Sequence, residues 1–270
     1  MILQRHLLCF LAAFGMSAVL LVAADEREGG GDTLLMPAQL SEALRVAAMP
    51  ELQNGRLAKI LTRYYKEGLG GAEAWSQISS FKVTGTLKLK EGEFELKAYQ
   101  KKPNLMKMSI RGDHDELVLA YDGDLAWQKL PGRNSMAEPM AAAEARRFKH
   151  SAIFGSYLLY PYAEGKTIEY IDTVPTDATI SHQIRVTLDS GYQVDYFIDI
   201  RSYLEVKSIK TDLQSGAVSE AIFRDYVREE GMPIARQVES YEDGEWVSSL
   251  MLEEVKVNAG VIPWMFKMRR

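Results

Sequence analysis

The sequence predicts a mainly β (α+β) protein: a curved antiparallel sheet of about 11–12 strands, with helices covering its concave side. Three observations carry this prediction. Between Phe81 and Leu130, short runs that alternate apolar and polar residues are separated by turn formers at Glu91-Gly92, Pro103-Asn104, Gly112-Asp113 and Asp122-Gly123. The same punctuated pattern resumes at Thr167 and continues to Val257. A single strongly amphipathic segment around Leu57 to Tyr65 precedes the first strand and needs an apolar surface to lie on.

Taken in order, the chain begins with Arg5, the only formal side-chain charge before an apolar run from Leu7 to Ala24. That layout predicts a secretory signal peptide over residues 1–24, cleaved after Ala23 or Ala24, and hence a periplasmic protein. The alternative is an uncleaved inner-membrane anchor, because the run is close to the length that spans a bilayer. The single cysteine, Cys9, lies inside this segment, near its start. The mature chain is therefore expected to have no disulfide, no thiolate nucleophile, no cysteine metal site and no lipid-attachment cysteine.

Residues 25–36 are charged and glycine-rich and read as a disordered leader. No linker divides residues 37–270, so one domain, expected to be monomeric, is predicted there. The net charge of −5 gives no electrostatic reason to expect nucleic acid.

Ser41 is placed to cap a short helical turn containing Ala43, Leu44, Val46 and Ala47. A stronger helix carries Leu57, Ile60, Leu61, Tyr64 and Tyr65 at helical spacing and ends at Gly68, Gly70 and Gly71. After a short turn over residues 72–78 come five strands. In the first, Phe81, Val83, Leu87 and Leu89 alternate with Lys82, Thr84, Thr86 and Lys88. Met136 to Tyr160 is alanine-rich and predicts one or two helices, stopped at Pro161. Seven more strands follow: residues 167–174, 179–189, 192–200, 204–212, 217–229, 234–241 and 245–257.

Several stretches are similar to outer-membrane lipoprotein-sorting proteins. LAKILTRYYKEGLGGAEAWSQISSFKVTGTL resembles their opening, a helix ending in a double glycine that leads into a first strand. YDGDLAWQKLPG resembles a strand-turn-strand signature of the family, and DSGYQVDYFIDIRSYLEVKSIK its paired strands, with Asp199 and Tyr203-Leu204 at the turn. FRDYVREEGMPIARQVESY matches the next hairpin at Asp225-Tyr226, Gly231 and Pro233, and EEVKVNAGVIPWMFKM the closing segment at Asn258, Pro263 and Phe266. The middle helical insert carries no motif of the carrier's lid.

The resemblance implies an unclosed β-barrel, LolA-like, with helices over its mouth and a hydrophobic cavity for the acyl chains of a lipid or lipoprotein, moved toward the outer membrane. An envelope membrane partner is compatible with it; with no G-x-S-x-G elbow, P-loop, dinucleotide fingerprint or HExxH in the sequence, no catalysis, cofactor or metal is expected. A second expectation is a sensor or scaffold of the same fold with a packed interior.

Each methylene moved from water into an apolar cavity gains about 0.8 kcal/mol, so one chain binds without any reactive residue. The candidate lining is Leu87, Leu89, Phe94, Leu96, Met106, Met108, Ile110, Leu117, Leu119 and Trp127, with Leu57, Ile60, Leu61 and Tyr64 on the covering helix. For any one of these residues, ordinary core packed under the helices is the commoner reading. Lys82, Lys88, Lys90, Lys97, Lys101, Lys102 and Lys107 form either a basic rim or solvated strand faces. His114, His150 and His182 stand in no metal-ligand spacing, and Asp113-His114-Asp115 reads as a turn. Trp246, Trp264 and Phe266 either anchor a partner or pack on the last strand.

Overall fold

The computed structural model describes residues 55–71, 75, 77–113, 115–132, 135–159, 165–177 and 179–269. The signal segment, the leader, the turn at Ser41 and His114 lie outside them. Helix α1 (Arg56–Arg63) continues as a π-helical turn over Tyr64–Gly68. Six strands follow: β1 (Ser80–Leu89), β2 (Gly92–Lys101), β3 (Leu105–Arg111), β4 (Glu116–Tyr121), β5 (Ala126–Lys129) and β6 (Ala137–Pro139). Helix α2 (Ala142–Ser151) and a 3-10 turn (Tyr157–Leu159) lead to seven more. These are β7 (Lys166–Thr176), β8 (Thr179–Leu188), β9 (Tyr192–Asp199), β10 (Glu205–Asp212), β11 (Val218–Glu229), β12 (Met232–Glu242) and β13 (Glu245–Val257).

The strands form one 13-stranded sheet in the order β6-β5-β4-β3-β2-β1-β13-β12-β11-β10-β9-β8-β7, every paired neighbour antiparallel. It does not close, because β6 and β7 are its two edges. The middle of the sheet is the pair β1·β13, which runs from Phe81↔Val257 to Leu89↔Ser248 with a register shift between Thr84 and Gly85. The thirteenth strand is β6, which occupies Met136's neighbours Ala137 to Pro139, where the sequence predicted helix. Main-chain pairing to β5 (Trp127↔Pro139, Lys129↔Ala137) outweighs the helical preference of an alanine-rich stretch. A proline is tolerated there because β6 is an edge.

Period two sorts the side chains as expected. Phe81, Val83, Leu87 and Leu89 of β1 point into the concave core, joined there by Leu96 and Ala98 of β2, and α2 lies on that face. Phe148, Ala152, Ile153, Phe154, Leu158 and Leu159 of the insert belong to the same core, so the chain linking the two edges fills much of the interior. Phe154 stacks on Phe81 at 4.9 Å with their planes 1° apart.

The residues that carried the family resemblance have a backbone reason. Tyr203 (φ 58), Asp225 (φ 53), Gly231 (φ 83) and Asn258 (φ 52) all occupy the left-handed region. Asp199 Oδ1 accepts hydrogen bonds from the Arg201 N–H (2.9 Å), the Ser202 N–H (2.6 Å) and the Ser202 hydroxyl (2.8 Å), closing the β9–β10 turn. Asn258 ties the end of β13 to the entrance of β1, accepting from Ser79 N–H at 2.8 Å and donating to the Gln77 carbonyl at 3.1 Å.

Candidate functional site: an apolar cleft beneath the first helix

Helix α1 lies over one end of the concave face. Ile60, Leu61, Tyr64 and Tyr65 are buried by it, and Leu57 packs at its edge. Tyr64 and Tyr65 open the π-helical turn, and both are buried. The Tyr65 hydroxyl donates to the Leu158 carbonyl of the insert, and the Tyr64 hydroxyl donates to the Glu205 carboxylate of β10. Ser156 Oγ lies 3.3 Å from the Tyr64 oxygen.

Polar side chains fasten the outer face of α1 to the sheet. Arg56 stacks over Tyr170 at 4.2 Å and donates to Thr173 Oγ1 at 2.9 Å. Arg63 stacks over Tyr203 at 4.2 Å and donates to its hydroxyl at 2.7 Å. Gly68 ends the turn against Tyr203: a Cβ there would meet the Tyr203 carbonyl oxygen at 2.2 Å.

Between the π-helical turn that continues α1 and the sheet is a cleft with about 100 Å³ of room. Its walls are Leu69, Trp75 and Phe81 on one side, Phe223, Met232, Ile234 and Ala235 of β11 and β12 on the other, and Leu159 of the insert; Glu205, Tyr64, Ser156 and Tyr203 form its polar end. Burial holds the Glu205 carboxyl above the usual carboxylate range, against the opposing pull of Tyr64 and Ser156. An apolar cavity of about 150 Å³ accommodates benzene, so the cleft as it stands admits only a few carbons.

Of the candidate residues, Leu87, Leu89, Leu96, Met106, Met108, Ile110, Leu117 and Leu119 share the one concave core, with Phe94 packed against it. Tyr64 borders the cleft, while most of its wall comes from β11 and β12. Trp127 does not share the concave face. It belongs to a small cluster on the opposite face with Val118 and Ala120, and its Nε1–H donates to the Phe266 carbonyl at 2.7 Å. The C-terminal turn Pro263–Phe266 covers this outer patch, where Phe266 packs with Leu105 and Val261. Trp264 is left 59% exposed under Arg269, at 3.8 Å.

The lysines do not form one basic surface. Lys102 turns inward, donating to the Trp75 carbonyl at 2.9 Å, and burial lowers its pKa to about 8. Lys97 and Lys107 border a concavity of about 620 Å³ on the outer face together with Glu95, Glu116 and Glu253, so its charge is mixed. His150 is buried with Nδ1 2.8 Å from the Tyr157 hydroxyl, and His182 Nδ1 lies 3.3 Å from Thr173 Oγ1. Among the described residues, no group of three or more His, Cys, Asp or Glu is arranged to hold a metal, and no helix is long and apolar enough to cross a membrane.

The architecture recurs in solved structures. An outer membrane lipoprotein-sorting protein domain from Vibrio parahaemolyticus is similar at 12% identity, over 72% of this chain and 93% of that one, with a TM-score of 0.51. A LolA superfamily protein from Nitrosomonas europaea matches at 10% identity over 77% and 96% of the two chains, with a TM-score of 0.52. A DUF1329 family protein from Desulfovibrio piger matches at 12% identity over 77% and 95%, with a TM-score of 0.55. No family model matches the sequence, and no curated protein matches it. The class defined by fold is thus the LolA-like unclosed barrel; at these identities the likeness is one of fold.

Proposed function

We propose that the protein is a periplasmic, non-catalytic binder of acyl chains, taking those of a lipid or lipoprotein beneath α1 for transfer toward the outer membrane. The observation that carries this reading is the apolar cleft under a helix fastened by side chains rather than by sheet hydrogen bonds. The turn that roofs the cleft, Tyr64, Gly68 and Leu69, is not a strand of the sheet, so displacing it to admit a chain breaks no strand pair. A chain of about a dozen methylenes gains roughly 10 kcal/mol on leaving water, against which the displacement of this turn is set. The shared fold with a lipoprotein-sorting domain supports the same reading.

A second reading, an envelope sensor or scaffold with a packed interior, is favoured by the filling of the concave side by α2 and by the small size of the cleft. One experiment separates the two. Native mass spectrometry of gently purified protein, paired with uptake of the neutral dye N-phenylnaphthylamine, is expected to reveal bound lipid and a fluorescence rise. A lipid-free protein that takes up no dye overturns acyl binding in favour of the scaffold.

A further inference from the structure

The cleft has apolar walls and, at one end, the polar groups of Glu205, Tyr64, Ser156 and Tyr203. Glu205 is part-exposed as a residue, yet its carboxylate meets Tyr64, which is almost wholly buried. The Tyr226 hydroxyl also reaches this strand, but donates to the main-chain carbonyl of Glu205 and leaves the carboxylate oxygens to other groups. A carboxylate offers about four lone-pair positions, and the hydroxyls of Tyr64 and Ser156 account for two donors. Glu205 lines the cleft beside an apolar wall of Leu69, Phe223 and Ile234, where its carboxylate can accept further hydrogen bonds.

We propose, building on the acyl-binding reading above, that Glu205 sets the head-group specificity of the cleft. It admits chains that end in a hydrogen-bond donor, such as an amide N–H, a hydroxyl or an ammonium, and rejects a free carboxylate. A donor head completes the acceptor set of Glu205 as its chain enters the apolar wall. An ionised fatty acid instead brings a second negative charge to within a few ångströms of the first, beside an apolar wall that screens the pair less than bulk water does. Arg63, which stacks on Tyr203 at this end, is engaged by Glu67 at 2.7 Å and by the Tyr203 hydroxyl rather than by Glu205.

The test is displacement of N-phenylnaphthylamine from the purified protein by four probes of one chain length, dodecanoic acid, dodecanamide, dodecanol and dodecylammonium, at about pH 8, where the acid is ionised. The amide, alcohol and ammonium are expected to compete at concentrations about tenfold or more below dodecanoate. In Glu205→Gln, which keeps the shape and can donate as well as accept, dodecanoate should approach the amide and the ammonium should lose its advantage. Tyr64→Phe, which removes a donor and keeps the carboxylate, should preserve the rejection of dodecanoate. Equal competition by all four probes in the unaltered protein overturns the proposal while leaving acyl binding intact, as does rejection that persists in Glu205→Gln. If the protein takes up neither the dye nor any probe, it is the acyl-binding reading itself that falls.

Discussion

The Tyr64 hydroxyl, on the π-helical turn that ends α1, donates to the carboxylate of Glu205 at the start of β10, 141 residues away in sequence. This bond joins the covering helix to the sheet at the polar end of the cleft. Tyr64→Phe removes it without changing the ring packing against Tyr65 (5.8 Å). The expected loss is about 1.5–3 kcal/mol, the range for a hydrogen bond to a charged group, read as a lower denaturation midpoint. Hydrogen exchange should rise first in residues 56–68.

Glu205 also gives a pH signature opposite to that of the paired carboxylates. Its folded pKa is raised by burial, so the stability it contributes is complete below the unfolded value and falls as pH rises through the folded one. Burial would raise Asp199 and Asp212, but hydrogen bonds from their turns, and Arg146 beside Asp212, outweigh it and hold both low, so their contribution is lost as pH falls instead. Glu205→Gln should therefore gain stability relative to the unaltered protein as pH rises from about 4 toward neutrality, measured by paired denaturant melts. A constant difference across that range would contradict the assignment.

Two lysines extend the argument to alkaline pH. Lys166, which donates to the Tyr157 carbonyl, and Lys210 are each lowered to about 7 by burial. The unfolded chain binds more protons at both between about pH 7 and 10, so their linkage makes the fold more stable as pH rises through that window. Lys210→Met is expected to flatten the rise, as seen in thermal melts at several pH values.

Trp127 separates the two faces of the sheet experimentally. Because it packs against the C-terminal turn, Trp127→Ala should cost about 3–5 kcal/mol and leave dye binding per folded molecule unchanged. Ala235→Phe, in the cleft wall, should abolish dye uptake at a smaller cost, about 1–3 kcal/mol from overpacking. Fluorescence titration of both variants tests the assignment of the faces.

Much of this molecule is legible in its sequence, and the exceptions have physical causes. The alternation in FKVTGTLKL and the stripe of α1 are long enough for periodicity to fix which side is buried. β5 is only four residues, Ala126–Lys129, and both its faces are covered, so the alternation that would have placed Trp127 outside is missing. β6 has three residues and a proline, and it exists because β5 offers an edge to pair with. The cleft wall in β11 and β12 follows from where α1 comes to rest, a tertiary fact. Glu205 follows a turn as one carboxylate among many, and only the approach of Tyr64 distinguishes it.

The pairing of β1 with β13 has a consequence for how the chain is made. Synthesis proceeds from one end, so β1 and its neighbours through β6 can form a half-sheet while the far edge of β1, Phe81 to Leu89, waits for the last strand to emerge. For that interval it is an open template for any other extended chain. Lys82 and Lys88, which line this strand opposite Lys256 and Ser249, make the waiting edge costly for a foreign strand to join. The closing of the sheet is thus the final step available to the nascent protein, and the long separation of its partners makes that step slow.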